Sequence, residues 1–132
     1  MQIKSLDHVN VRTGRLDEMV AWYGKMLDMT LGPRPDFSFP GAWLYIGDHP
    51  AVHLVGTDPA PSEQQKDLQI EHYAFSATGL KELLGRFEEA GEPVRVAKVP
   101  GFPIVQINVW DPDGNHLHID FSPEEAEGLG VV

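Results

Sequence analysis

The two halves of this chain match one another in sequence, and that self-similarity limits the folds open to it. Sliding the sequence by 64 positions sets Leu6-Asp7-His8-Val9 against Ile70-Glu71-His72-Tyr73. The same register sets Leu16, Glu18, Met19, Val20 and Tyr23 against Leu80, Glu82, Leu83, Leu84 and Phe87. One further residue of slip brings His53 opposite His118. Apolar positions meet apolar ones, and a histidine falls near each end of each half. The chain reads as two copies of one module, about 1–62 and 66–122, forming a single domain of 132 residues with a short C-terminal tail. The polar stretch Pro59-Ala60-Pro61-Ser62-Glu63-Gln64-Gln65-Lys66 is the linker between them.

Each copy has the same order of elements. Ile3 to Val11 alternates β-branched residues and is expected to be a strand. Leu16 to Met29 carries apolar residues at helical spacing, with Asp17 and Glu18 suited to the first turn. A brief strand over Thr30 to Gly32 precedes two more, Ala42 to Ile46 and Ala51 to Val55, around the turn Gly47-Asp48-His49-Pro50. In the second copy Gln69 to Ala77 is the strand, and Leu80 to Ala90 the helix closed by Gly91. Pro93 to Val99, Pro103 to Trp110 and Asn115 to Phe121 follow as strands, the last two joined by the turn Asp111-Pro112-Asp113-Gly114. Each copy is therefore βαβββ, and the fold class is α+β. The tail from Glu124 to Val132 is expected to be mobile or to dock on a partner subunit.

Strand alternation sorts the side chains by face. His8, Asn10 and Arg12 share one face of the first strand, and Val9 and Val11 the other. His72 opposes Tyr73, while His116, His118 and Asp120 oppose Leu117, Ile119 and Phe121. Gln106 and Asn108 share a face of the strand between. The apolar faces suit the helices. The opposite faces carry histidines, amides, an arginine and an aspartate, a composition that fits a lined cavity. Imidazole is the commonest neutral metal ligand, so His8, His53, His72 and His118 are the candidate metal ligands, expected to converge where the repeat axis runs. The competing reading is four unrelated histidines among the six present. Asn10, Arg12 and Asn108 are candidate substrate contacts; Arg12 alternatively pairs with a surface acid. Asp120 and His116 are candidate catalytic groups or partners behind a ligand imidazole. His49 reads as a solvated turn residue.

Composition narrows the partners. A net charge of −10 disfavours nucleic acid and anionic membranes, which leaves a small molecule as the expected partner. No run of apolar residues approaches a membrane span. With no cysteine there are no disulfides and no thiolate ligands. The opening Met1-Gln2-Ile3-Lys4-Ser5 lacks the pattern of a signal peptide, and a cytoplasmic protein is expected.

Four segments carry a family resemblance. They are Asp7-His8-Val9, Ala21-Trp22-Tyr23-Gly24-Lys25-Met26-Leu27-Asp28-Met29, Glu71-His72-Tyr73-Ala74-Phe75 and Asp111-Pro112-Asp113-Gly114-Asn115. In order and spacing the chain resembles the glyoxalase/bleomycin-resistance/extradiol-dioxygenase (vicinal oxygen chelate) superfamily. The resemblance implies paired βαβββ modules in a cupped mixed sheet around a central metal-site cavity, and a homodimer. It implies one divalent metal ion (Fe, Zn, Ni, Co or Mn) held by His8, His53, His72 and His118, and places Arg12 where some members hold a substrate carboxylate. It further implies lyase, isomerase or dioxygenase chemistry on a small oxygen-chelating substrate. His118 and His53 depart from the pattern, because the family often has acids there; that counts against an ordinary glyoxalase I. The other function the resemblance implies is a metal-free protein that sequesters a drug or other small molecule.

Overall fold

The computed structural model describes residues 1–62 and 68–131. Residues 63–66 of the expected linker lie outside the described residues. The chain divides into two compact units, Met1–Gln64 and Gln65–Val132. The first contains β1 (Val9–Thr13), α1 (Leu16–Leu27), β2 (Thr30–Gly32), β3 (Gly41–Ile46) and β4 (His49–Gly56). The second contains β5 (Tyr73–Ser76), α2 (Leu80–Ala90), β6 (Arg95–Lys98), β7 (Val105–Trp110), β8 (His116–Phe121) and α3 (Pro123–Ala126). Each unit is α+β, with one four-stranded mixed sheet. The strand orders are β1-β4-β3-β2 and β5-β8-β7-β6.

In both units the first strand lies parallel to the last, and the other pairings are antiparallel. Registers match as well as topology. Asn10 sits opposite His53, and Ala74 opposite His118. Trp43 sits across from His53, and Asn108 across from His118. These positions are the ones that the sequence offsets of 64 and 65 align.

The helices form where apolar residues recur at helical spacing, and each buries that stripe. α1 buries Met19, Trp22, Tyr23 and Met26 beside Ala42, Leu44, Val52 and Leu54 of β3 and β4. α2 buries Leu80, Leu83 and Phe87. In β7 and β8 the alternating residues Val105, Ile107, Val109, Leu117, Ile119 and Phe121 are all buried. Each large side chain so buried contributes roughly 1.5–3 kcal/mol.

Several boundaries differ from the sequence expectation. β1 starts at Val9 rather than Ile3, and β5 at Tyr73 rather than Gln69. Ile3, Leu6 and Ile70 are exposed, and the parallel ladders begin only at Val9–Val52 and Tyr73–Leu117. Alternation alone cannot supply the neighbouring strand that a ladder needs. His8 and His72 therefore stand one residue ahead of their strands. α1 ends at Leu27, where Asp28 turns left-handed (φ 55°) and its N–H donates to the Tyr23 carbonyl. The β3–β4 turn shrinks to Gly47-Asp48, so His49 and Pro50 belong to β4.

The tail was expected to be mobile or to dock on a partner; instead residues 123–126 form α3, packed on α2 within the same unit. Gly79, at the start of α2, has no side chain to cap the helix. The Glu125 carboxylate fills that role, accepting from Gly79 N–H at 2.6 Å and Leu80 N–H at 2.9 Å. Glu125→Ala should lower stability by about 1–2 kcal/mol. A urea midpoint within error of the wild type would show that the tail does not hold α2.

Candidate functional site

The polar side chains are aimed by the strands that carry them. In the second unit the positioning device is the turn after β7. Asp111 is buried, and its Oδ1 accepts from the N–H groups of Asp113 and Asn115, both at 3.0 Å. Its Oδ2 accepts from Asn115 Nδ2 at 2.8 Å. An aspartate receiving its own turn's amides explains why Asp-Pro-Asp-Gly-Asn closes tightly here, with Gly114 at φ 82°. β8 then returns in a fixed register, placing His116 opposite Trp110 and His118 opposite Asn108.

In the first unit three rings form a parallel stack. His8 lies on His53 at 3.9 Å between centroids, and His53 lies on Trp43 at 4.0 Å, with interplanar angles of 12° and 11°. His53 is buried and donates from Nε2 to the Pro50 carbonyl at 3.1 Å, which leaves Nδ1 with its lone pair. His8 Nδ1 bonds the Asp7 carboxylate at 2.7 Å. His49 Nε2 reaches the Asp7 carbonyl. Imidazole lone pairs lie in the ring plane, so two parallel rings cannot both aim at one ion. The exposed His8 must turn about its side-chain bonds to share an ion with His53.

In the second unit the rings converge. His72 and His118 have centroids 4.6 Å apart and planes at 52°; His72 and His116 are 5.3 Å apart at 61°. Glu71 spans two of them, accepting from His72 Nδ1 at one oxygen and from His116 Nδ1 (2.9 Å) at the other. His118 Nδ1 bonds Asp120 Oδ1 at 2.7 Å. His116 Nε2 faces Asn108 Oδ1 at 2.8 Å. Asn108 is itself buried and locked, donating to the Arg95 carbonyl and accepting from Arg95 Nη2 at 3.2 Å. Among the described residues, Glu71, His72 and His116 offer donor atoms that all lie within 4.8 Å of one another.

Charge follows this geometry. The hydrogen bond from His8 holds the Asp7 carboxyl below its ordinary range, and those from His72 and His116 do the same for Glu71. Burial, reinforced by the neighbouring His8, lowers the pKa of His53.

Two βαβββ units with histidines at matched registers agree with what the comparisons found. Residues 5–119 match the family model of the Glyoxalase/Bleomycin resistance protein/Dioxygenase superfamily. The chain belongs to this superfamily. It is 30% identical over 126 residues to "Glyoxylase I 4" of Arabidopsis thaliana, covering 90% of this chain and 71% of that protein. The crystal structure of a glyoxalase family protein from Bacillus anthracis matches with a TM-score of 0.75 at 23% identity, covering 92% of this chain and 98% of that one. A fosfomycin resistance protein from Listeria monocytogenes matches with a TM-score of 0.69 at 14% identity, covering 94% and 98%. At these identities the structural matches establish the superfamily fold.

Within this superfamily chain, each histidine expected as a ligand lies beside its partner in the same unit, His8 by His53 and His72 by His118. Asn10 and Arg12 are exposed on β1. Asp120 lies against His118. Asn108 commits its side chain to Arg95 and His116. Asp7 and Glu71 were missed as site residues, although their place before each histidine in the repeat was a visible signal. His49 is exposed as expected, but it is the first residue of β4 rather than part of the turn, and it bonds the Asp7 carbonyl; only tertiary structure brings positions 7 and 49 together.

The lowered pKa of His53 has a testable sign. An unfolded histidine takes up a proton near its ordinary value of 6.5, whereas folded His53 resists it. Stability should therefore fall as pH drops below that value and be unaffected by His53 above it. Asp7 and Glu71 act in the opposite window, losing their contribution only as pH falls below their ordinary values of 3.8 and 4.5. Denaturant midpoints at about pH 7.5 and 5.5 should differ in the wild type, and His53→Gln should shrink the difference. An equal difference in both proteins would refute this account.

Proposed function

We propose that this chain is a divalent-metal-dependent enzyme acting on a small oxygen-chelating substrate by lyase, isomerase or dioxygenase chemistry. The ligands are His8 and His53 of the first unit and His72 and His118 of the second. The observation that supports this most directly is the cluster in the second unit, where His72 and His118 lie 4.6 Å apart between centroids and Glu71, His72 and His116 offer donor atoms within 4.8 Å of one another. The donor chemistry fits: neutral imidazoles and nearby carboxylates suit zinc, iron, nickel, cobalt or manganese.

A divalent ion bound there supplies Lewis acidity toward two oxygens of the substrate. The chain's own groups do the rest. Arg12 and Asn10, exposed on the same face of β1 as His53, receive the polar end of the substrate; a guanidinium takes a carboxylate bidentately. Arg95 fixes Asn108, which in turn fixes His116 at the edge of the second cluster. No helix among the described residues is long and apolar enough to cross a membrane, and a cytoplasmic homodimer is the proposed setting.

Elemental analysis of protein from metal-supplemented growth tests the reading. One divalent ion per chain is expected, with His72→Ala and His118→Ala each losing most of it. A wild type without a stoichiometric ion, or a His72→Ala variant with unchanged content, overturns it. The second reading, a metal-free protein sequestering a flat or drug-like molecule, is favoured by one observation. The parallel His8–His53–Trp43 stack is a ready stacking surface and, as it stands, a poor chelate. Stoichiometric binding of such a molecule by metal-free protein would support that reading.

A further inference from the structure

Three of the four proposed ligand histidines share a feature that neither the repeat nor the family match assigns. His8 Nδ1 meets Asp7 at 2.7 Å, His72 Nδ1 meets Glu71, and His118 Nδ1 meets Asp120 at 2.7 Å. A carboxylate only accepts, so in the neutral ring each bond places the proton on Nδ1 and leaves Nε2 as the nitrogen with the lone pair. The fourth, His53, has no such acid. Its Nε2 donates to the Pro50 carbonyl, and the free nitrogen is Nδ1.

We propose that Asp7, Glu71 and Asp120 are positioning residues, each backing one histidine so that its Nε2 is offered to the metal and made more basic. This rests on the metal-enzyme reading above. The physical need is plain. Imidazole is neutral, so a site of histidines alone leaves the charge of a divalent cation uncompensated. A carboxylate bonded to the far nitrogen returns negative charge to the ligand without occupying a coordination position. Two of the three acids directly precede their histidine, just ahead of β1 and β5. The third lies two residues after His118 on the same face of β8, where side chains at i and i+2 are neighbours. The arrangement thus needs no long-range packing. It is encoded in Asp7-His8, Glu71-His72 and His118-Ile119-Asp120.

Glu71 has a further consequence. Its second oxygen accepts from His116 Nδ1 at 2.9 Å, so one carboxylate orients two rings. His116 Nε2 is turned toward Asn108 and away from a free lone-pair role. That makes His116 a brace for Glu71 rather than the partner of a fourth acid.

Long-range proton–nitrogen NMR on metal-free protein reads the tautomers directly. His8, His72 and His118 are expected to carry the proton on Nδ1, and His53 on Nε2. Asp7→Ala, Glu71→Ala and Asp120→Ala should each shift their own histidine toward the Nε2–H form and leave the other proposed ligands unchanged, with Glu71→Ala also releasing His116. Titration with zinc should show each variant weaker by about 10- to 100-fold. Glu71→Gln, which keeps an acceptor but not the charge, should retain the His72 tautomer and still lose zinc affinity. Nε2–H forms at the three histidines in the wild type, or zinc affinities unchanged in all three alanine variants, overturn the proposal. A wild type that binds no zinc, with the tautomers as expected, would instead overturn the metal reading and leave the acid–histidine pairs with no ion to serve.

Discussion

The parallel pairing of each unit's first strand with its last is the constraint on which the rest depends. A parallel ladder needs a crossover, and the helix between the first and second strands supplies it. Covering one sheet face with that helix demands apolar residues at alternate strand positions. Polar residues are thereby sorted to the other face. A one-residue slip of β4 or β8 would send His53, or His116 and His118, to the helix side. Val9–Val52 and Tyr73–Leu117, both apolar pairs at the start of their ladders, fix the register against that slip. Histidine positions are thus set by the burial of their neighbours, and duplication copied the whole arrangement.

That copying is why so much was legible in the sequence. A 64-residue offset, apolar stripes at two periods and the Asp-Pro-Asp-Gly turn were enough to place seven of the eight strands in their segments and two long helices within a few residues. The eighth, β2, is the brief strand expected over Thr30 to Gly32. Boundaries were legible only where a stop signal is local, as at Gly91, which closes α2 in the left-handed conformation. They failed where the stop is tertiary. Ile3 to His8 has the composition of a strand, yet the neighbour it would need begins pairing only at Val52.

The site divides in the same way. Which histidines share a sheet face follows from alternation, and the pairing of His8 with His53 and His72 with His118 follows from the repeat. Ring orientation does not. Nothing in the local sequence tells a stacked pair of imidazoles from a converging one. That difference arises from the residue opposite each buried histidine, Trp43 in one unit and Asn108 in the other. Nor is Glu125 legible as a helix cap, because it lies 45 residues from the amide it serves.

The two units are therefore alike in frame and unlike in chemistry, and the divergence sits at equivalent positions. Where the second unit has Asp120 beside His118, the first has Val55, so His53 turns to a backbone carbonyl for its partner. Where the second has Asn108, the first has an indole that lies flat on the buried His53. Burial then favours the neutral form of His53, the form that binds a metal ion or stacks on an apolar ring. The second unit reaches the same end by the opposite route, surrounding its histidines with carboxylates that fix their protons. Duplication supplied two copies of one ligand-bearing sheet. Substitution at two register positions, Val55 against Asp120 and Trp43 against Asn108, made one of them aromatic and the other charged and hydrogen-bonded.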